Sequence, residues 1–224
     1  MQTASSWYKA AVSEQIVTPE KEAQPVSKPR PEQLRPDGER WDMRSIYAAT
    51  NAQRRAIMHN GVMPDLDGLA GWEFAGTNTG PWAALIRSRK FKKGFYRGPD
   101  RHPGGPSPFV QGYNIPVKQN GVGAPHVAKP TDEAPKRFGF YRVHRVVPGA
   151  KDSRYEDCAL LDYSLGGNAW YDPGRLLRDY LVQVYPDDPD LLLGHAFGAL
   201  FGLRIQVSFF ILERMNRHDF KGTQ

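Results

Sequence analysis

Leu176 through Arg214 reads as three consecutive β-strands separated by turn residues, the last ending in the run Val207-Ser208-Phe209-Phe210-Ile211-Leu212. Strand side chains point to opposite faces with period two, so Ile205, Val207, Phe209 and Ile211 oppose Arg204, Gln206, Ser208 and Phe210. The short Pro186-Asp187-Asp188-Pro189 connection leaves room only for an antiparallel hairpin between its flanking strands. Strands of this kind bury one face around a common interior, and an interior wider than its own side chains becomes a binding cavity.

Upstream, further strands are expected at Ala70 to Thr77, Phe91 to Arg97, Phe109 to Val117, Arg137 to Val147 and Asp157 to Tyr163. The three at the end lie at Leu176 to Tyr185, Leu191 to Leu200 and Arg204 to Arg214. Abundant glycine (22) and proline (19), with few long helix-forming tracts, suit many short strands joined by turns. The predicted class is mainly β: an antiparallel up-and-down β-barrel of about eight strands, preceded by a helix and a disordered N-terminal leader. Residues 1–40, with five prolines among Glu, Gln, Lys and Ser, are the expected leader. Residues 41–62 are the expected helix packing on the barrel, with Asp42 as N-cap and Asn60-Gly61 as stop signal, and 63–218 the barrel itself. Pro81 to Arg87 reads as a short helix over one mouth, and Gly121 to Pro135 as a mobile loop able to gate a cavity.

The formal charge of +6 is too small an excess to name a partner. It is densest at Arg87, Arg89, Lys90, Lys92, Lys93 and Arg97, interleaved with Phe91, Phe95 and Tyr96, a mixture that single-stranded nucleic-acid binders also use. The plainer reading is a solvated strand whose lysines discourage edge pairing, and no nucleic-acid partner is expected. A lone cysteine, Cys158, excludes an intrachain disulfide and reads as a packed core residue. With no secretory signal and no run of about 18 apolar residues, no transmembrane segment is expected and the location is expected to be cytoplasmic. Histidines scattered singly argue against a metal site, and no cofactor fingerprint is present.

Gly68-Leu69-Ala70-Gly71-Trp72-Glu73-Phe74, together with Arg214 in the last strand, resembles the calycin superfamily, the lipocalins and their intracellular relatives. Those barrels begin with a helix or coil, then a glycine and a tryptophan at the first strand, and close their bottom with a basic residue lying across the indole. The resemblance assigns Trp72 and Arg214 that structural pairing, although Gly71 directly precedes Trp72 where the family usually has one residue between. It implies a lipocalin-like barrel that binds a small lipophilic or amphipathic molecule.

Polar groups on otherwise apolar strands are the candidate chemistry, since a buried charge or amide must find a partner. Phe74, Tyr141, Arg142, His144, Tyr180, His195, Phe197 and Phe209 are the expected ligand-binding residues. As an alternative, a barrel enzyme of isomerase or cyclase type would use His144 or His195 with Asp162 or Asp179 as an acid-base pair. Strand parity selects among these residues, and both faces of the His144 and His195 strands are plausible interiors.

Overall fold

The structure, a computed structural model, describes residues 27–80, 83, 88–98, 109–200 and 203–222. The helix expected over Pro81 to Arg87 falls almost wholly outside these, as do residues 1–26 of the expected leader.

Eight strands close into one barrel: β1 (Trp72–Asn78), β2 (Lys90–Gly98), β3 (Phe109–Pro116), β4 (Phe138–Arg145), β5 (Ala159–Asp162), β6 (Leu177–Tyr185), β7 (Asp188–Leu200) and β8 (Leu203–Arg217). Each pairs antiparallel with the next, and β8 returns to β1 through Trp72↔Arg217 and Phe74↔Arg214. This is an up-and-down barrel of the architecture that calycin-like folds share. Full closure removes the edge strands that an open sheet would expose.

The helix expected over residues 41–62 is two helices, α1 (Met43–Ala48) and α2 (Asn51–Asn60). The break has a chemical cause. Thr50 leaves the helical conformation and caps a new start: its hydroxyl accepts from Gln53 N at 3.2 Å while Gln53 Oε1 accepts from Thr50 N at 2.8 Å. Asp42 caps α1 as expected, accepting from Ser45 N at 2.7 Å. The docked region also begins before residue 41. Gln33 is buried and donates to the Asn60 carbonyl at 2.8 Å, and Arg40 pairs with Asp187 at 2.7 Å. The Gln33 bond, joined by one from Arg30 at 3.1 Å, satisfies the orphan Asn60 carbonyl at the end of α2, and the Arg40 pair ties the segment to the β6–β7 turn, so a proline-rich segment lies down there.

Three apolar clusters result. One fills the barrel from within: Phe74, Phe95, Val110, Tyr141, Val143, Leu161, Leu181, Leu192, Phe210 and Leu212, floored by Leu69 of α3 (Leu66–Leu69). A second lies between the outer wall of β6, β7 and β8 and the helices α1 and α2, with Ile46, Ile57, Tyr180, Val182, Leu193, Phe197, Phe209 and Ile211. A third covers the outside of β2 and β3, where Tyr96, Tyr113, Ile115 and Phe140 meet Phe220. The sheet is thus apolar on both faces along much of its course.

Arg214 and Trp72 meet as the resemblance implies. The guanidinium carbon stands 4.6 Å from the indole centroid, and Arg217 stacks at 4.1 Å. Arg214 also donates to the carbonyls of Gly68 and Pro189 and pairs with Asp190 at 2.6 Å, tying the α3 turn and the β6–β7 hairpin across the end of the barrel. That end is closed.

Candidate functional site

The other end is hollow. Of the interior, the part near α3 is filled by large side chains, whereas the part towards the end of β1 and the starts of β4 and β6 encloses a cavity of about 370 Å³. Its apolar wall is Phe91, Phe138, Leu177, Ala196, Val207 and Phe210, and Phe138 is 46% exposed at the mouth. Two of these rings owe their position to a missing side chain. Phe91 pairs with Gly76, and Phe210 with Gly194, and each ring lies across its partner where even a Cβ would collide. The rings therefore line the wall and leave the space in front of them open.

One polar constellation interrupts this wall. Lys93 of β2 points inward with side-chain exposure of only 3%, and its ammonium donates to Asn114 Oδ1 at 3.0 Å, Tyr163 Oη at 2.6 Å and Asp179 Oδ2 at 3.1 Å. Tyr163 Oη donates in turn to Asp179 Oδ2 at 3.0 Å, and Asn114 Nδ2 donates to Tyr163 Oη at 3.2 Å and to the Gly139 carbonyl at 2.9 Å. Aromatic faces complete the enclosure, with the Lys93 nitrogen 4.7 Å from the Tyr141 centroid and 5.1 Å from that of Phe210. Burial pulls the Lys93 ammonium below the usual lysine range, opposed by the neighbouring Asp179 charge. Burial also pushes the phenols of Tyr163 and Tyr141 well above the ordinary tyrosine range, so both stay protonated donors.

The register separates the residues predicted from sequence. Phe74, Tyr141 and Asp179 point into the barrel, Phe74 and Tyr141 in the packed part and Asp179 in the cavity wall. Tyr180, His195, Phe197 and Phe209 point outward, where α1, α2 and the loop before β5 bury them, so they line no part of the interior. His195 accepts or donates at Tyr155 Oη, 2.8 Å away, and stacks on Phe209 with centroids 3.8 Å apart. Burial and the Arg154 charge push its pKa down to about 3. Arg142 lies over the Phe109 ring at 4.4 Å on the outer face, and His144 shares that side of the barrel wall with Asp162 rather than with Asp179. Asp162 caps the turn that presents Tyr163, accepting from Ser164 N at 2.8 Å and pairing with Arg178 at 3.2 Å. The expected pairs of His195 with Asp162 or Asp179 are not assembled: His195 opposes Tyr180 on the outer wall, while Asp179 opposes Ala196 on the inner one.

The basic stretch is not a solvated strand. Lys90 and Lys92 point out but are buried under the loop that follows β3, Lys90 reaching Asn120 Oδ1 at 2.7 Å and the Pro125 carbonyl at 3.0 Å, and Lys92 reaching Asp132 at 2.8 Å. A closed barrel has no edge for them to guard. The segment read as a gate, Gly121 to Pro135, is held by these lysines against the outer face of β2. Lys93, Asn114, Phe91 and Phe210 are among the cavity residues sequence reasoning missed, with Phe138, Leu177, Ala196 and Val207. The signal for Lys93 was parity: Phe91, Lys93 and Phe95 share one face, so a strand that buries its two phenylalanines also buries the lysine between them.

No protein-family model matches this chain, and neither curated proteins nor solved structures match it significantly. Among the described residues no helix is long and apolar enough to cross a membrane, and no group of three His, Cys, Asp or Glu side chains converges as a metal site would require.

Proposed function

We propose that this chain is a binding barrel of the calycin kind, which takes up a small, largely apolar molecule through its open end and orients it by one polar group. The observation that carries this reading is the cavity of about 370 Å³, whose aromatic and aliphatic wall is broken by the buried Lys93, Asn114, Tyr163 and Asp179 set and, elsewhere in the lining, by Asn78, Ser88, Asp172 and Ser208. Ligand sites commonly span about 300 to 1,000 Å³ and combine an apolar lining with a few converging polar groups. The volume lies at the small end of that range, which suits a compact guest better than a long acyl chain. The Trp72–Arg214 stack at the closed end supports the calycin assignment, since it seals one mouth and leaves the other for entry.

Native mass spectrometry of protein purified from its host tests this directly. A copurified small molecule is expected, and it is expected to be lost in Ala196→Trp, where the added indole occupies the cavity beside Ser208 and Asp179. A protein that arrives empty, and whose intrinsic fluorescence is indifferent to a panel of compact aromatic and terpenoid compounds, contradicts the proposal. The enzymatic alternative predicts that the molecule added and the molecule recovered differ in structure.

A further inference from the structure

The polar set in the cavity wall has spent its donors and kept one acceptor. Lys93 carries three N–H groups, and Asn114, Tyr163 and Asp179 take one each. Both N–H groups of Asn114 are used, on Gly139 and Tyr163, and the Tyr163 hydroxyl proton is used on Asp179 Oδ2. Two of these bonds, from Lys93 and from Tyr163, reach the same carboxylate oxygen, Asp179 Oδ2, whereas Asp179 Oδ1 is buried with no hydrogen-bond partner among the described residues. The side chain that carries it has 4% exposure and stands in the cavity wall. A buried carboxylate oxygen without a donor is costly, and a group that supplies the donor gains what the protein alone lacks.

Building on the binding function proposed above, we infer that the cavity selects guests bearing a neutral hydrogen-bond donor, an alcohol or phenol hydroxyl or a neutral N–H, which is donated to Asp179 Oδ1. Charge supports the choice. Lys93 and Asp179 form a neutral pair at 3.1 Å, so an anionic guest finds no free donor on Lys93 and meets the Asp179 carboxylate instead. The apolar body of the guest lies against Phe91, Phe138, Leu177 and Phe210. This inverts the usual expectation for a lysine in a greasy pocket, because the ammonium is committed to the wall, and the groups left to be read are the Asp179 carboxylate and the hydroxyl of Ser88, whose Oγ is likewise buried without a hydrogen-bond partner among the described residues.

Three probes of one shape separate the outcomes: 2-naphthol, its methyl ether, which has lost the donor, and 2-naphthoate, which is an anion. Calorimetry at neutral pH on the full chain is expected to give 2-naphthol at least about tenfold tighter than both others, the scale of a hydrogen bond to a charged acceptor. In the double variant Lys93→Met/Asp179→Leu, which removes the ion pair as a unit so that no charge is left stranded, that preference is expected to collapse to within about twofold. Circular dichroism and a cooperative melt establish that the variant is folded. Equal binding of all three by the wild-type chain overturns the donor inference while leaving cavity binding intact, and so does tightest binding of 2-naphthoate. A preference that persists in the double variant overturns it as well. Failure of all three to bind removes the cavity reading together with the inference.

Discussion

Two buried ionisable groups on opposite sides of the wall behave in opposite ways. Lys93 is charged and surrounded, so removing its partner or itself strands a charge. Lys93→Met alone is expected to cost about 3 to 5 kcal/mol in urea unfolding, because Asp179 is then buried without compensation, while Lys93→Met/Asp179→Leu is expected to recover most of that loss. His195 is neutral and packed between Tyr155 and Phe209. Its folded pKa of about 3 lies below the ordinary 6.5, so the unfolded chain takes up a proton that the folded chain refuses. Stability from this site is therefore whole above the unfolded value and is lost as pH falls from about 6.5 towards 3. His195→Leu is expected to flatten that part of the stability profile, read as melting temperature against pH; an unchanged slope contradicts the assignment. The inward lysine was legible in the alternation of Phe91, Lys93 and Phe95, but a run of six basic residues in eleven positions, Arg87 to Arg97, reads first as a surface.

At the scale of elements, the strand positions were legible and the faces were not. All eight expected strands exist within a few residues of their predicted places, because turn residues and strand-forming residues punctuate the chain locally. Facing is not local. Phe209, Phe210, Ile211 and Leu212 are all buried, Phe210 and Leu212 inside the barrel and Phe209 and Ile211 beneath the helices. A continuous apolar run is what a strand covered on both sides looks like, and period two carries no signal there. A register shift between Ala196 and Phe197 passes over Val207, so Val207 lines the cavity although period two would set it on the outer face with Phe209 and Ile211, whereas His195 and Phe197 share the outer face by period two and His195 directly opposes Phe209. The helix break at Thr50 was legible, since Thr50 and Gln53 have the spacing of a capping box. Thr50→Ala is expected to destabilise the protein by about 1 kcal/mol, in the range of lost N-caps, with faster amide exchange concentrated in the first turn of α2. Exchange unchanged in that turn means that tertiary packing, rather than the cap, defines where the helix begins.

For the molecule as a whole, a barrel closed at one end by a cation–π stack and α3 and hollow at the other explains why so many glycines and aromatics were needed. Aromatic rings laid over Gly76 and Gly194 keep the wall apolar without filling the space it encloses. A methyl group at either position pushes its ring into that space, so Gly194→Ala is expected to weaken any cavity ligand more than it lowers the melting temperature. The stack at the closed end belongs to stability instead. Arg214→Ala is expected to cost about 1 to 2 kcal/mol in unfolding free energy, the scale of a partly desolvated cation–π contact, with ligand affinity within about twofold of wild type. Closure and its cavity emerge from the pairing of β1 with β8, residues far apart in the chain, and for that reason the hollow was inferable from strand number but its lining was not.

The central claim is that the hollow end of the barrel, away from α3, admits a guest. Amide chemical-shift mapping by NMR during titration with 2-naphthol tests it most directly. The account predicts saturable shifts centred on Lys93, Asn114, Asp179, Ala196 and Phe210, with the outer cluster around His195 and Tyr155 largely unmoved. Shifts confined to that outer cluster, or none at saturating probe, would contradict it.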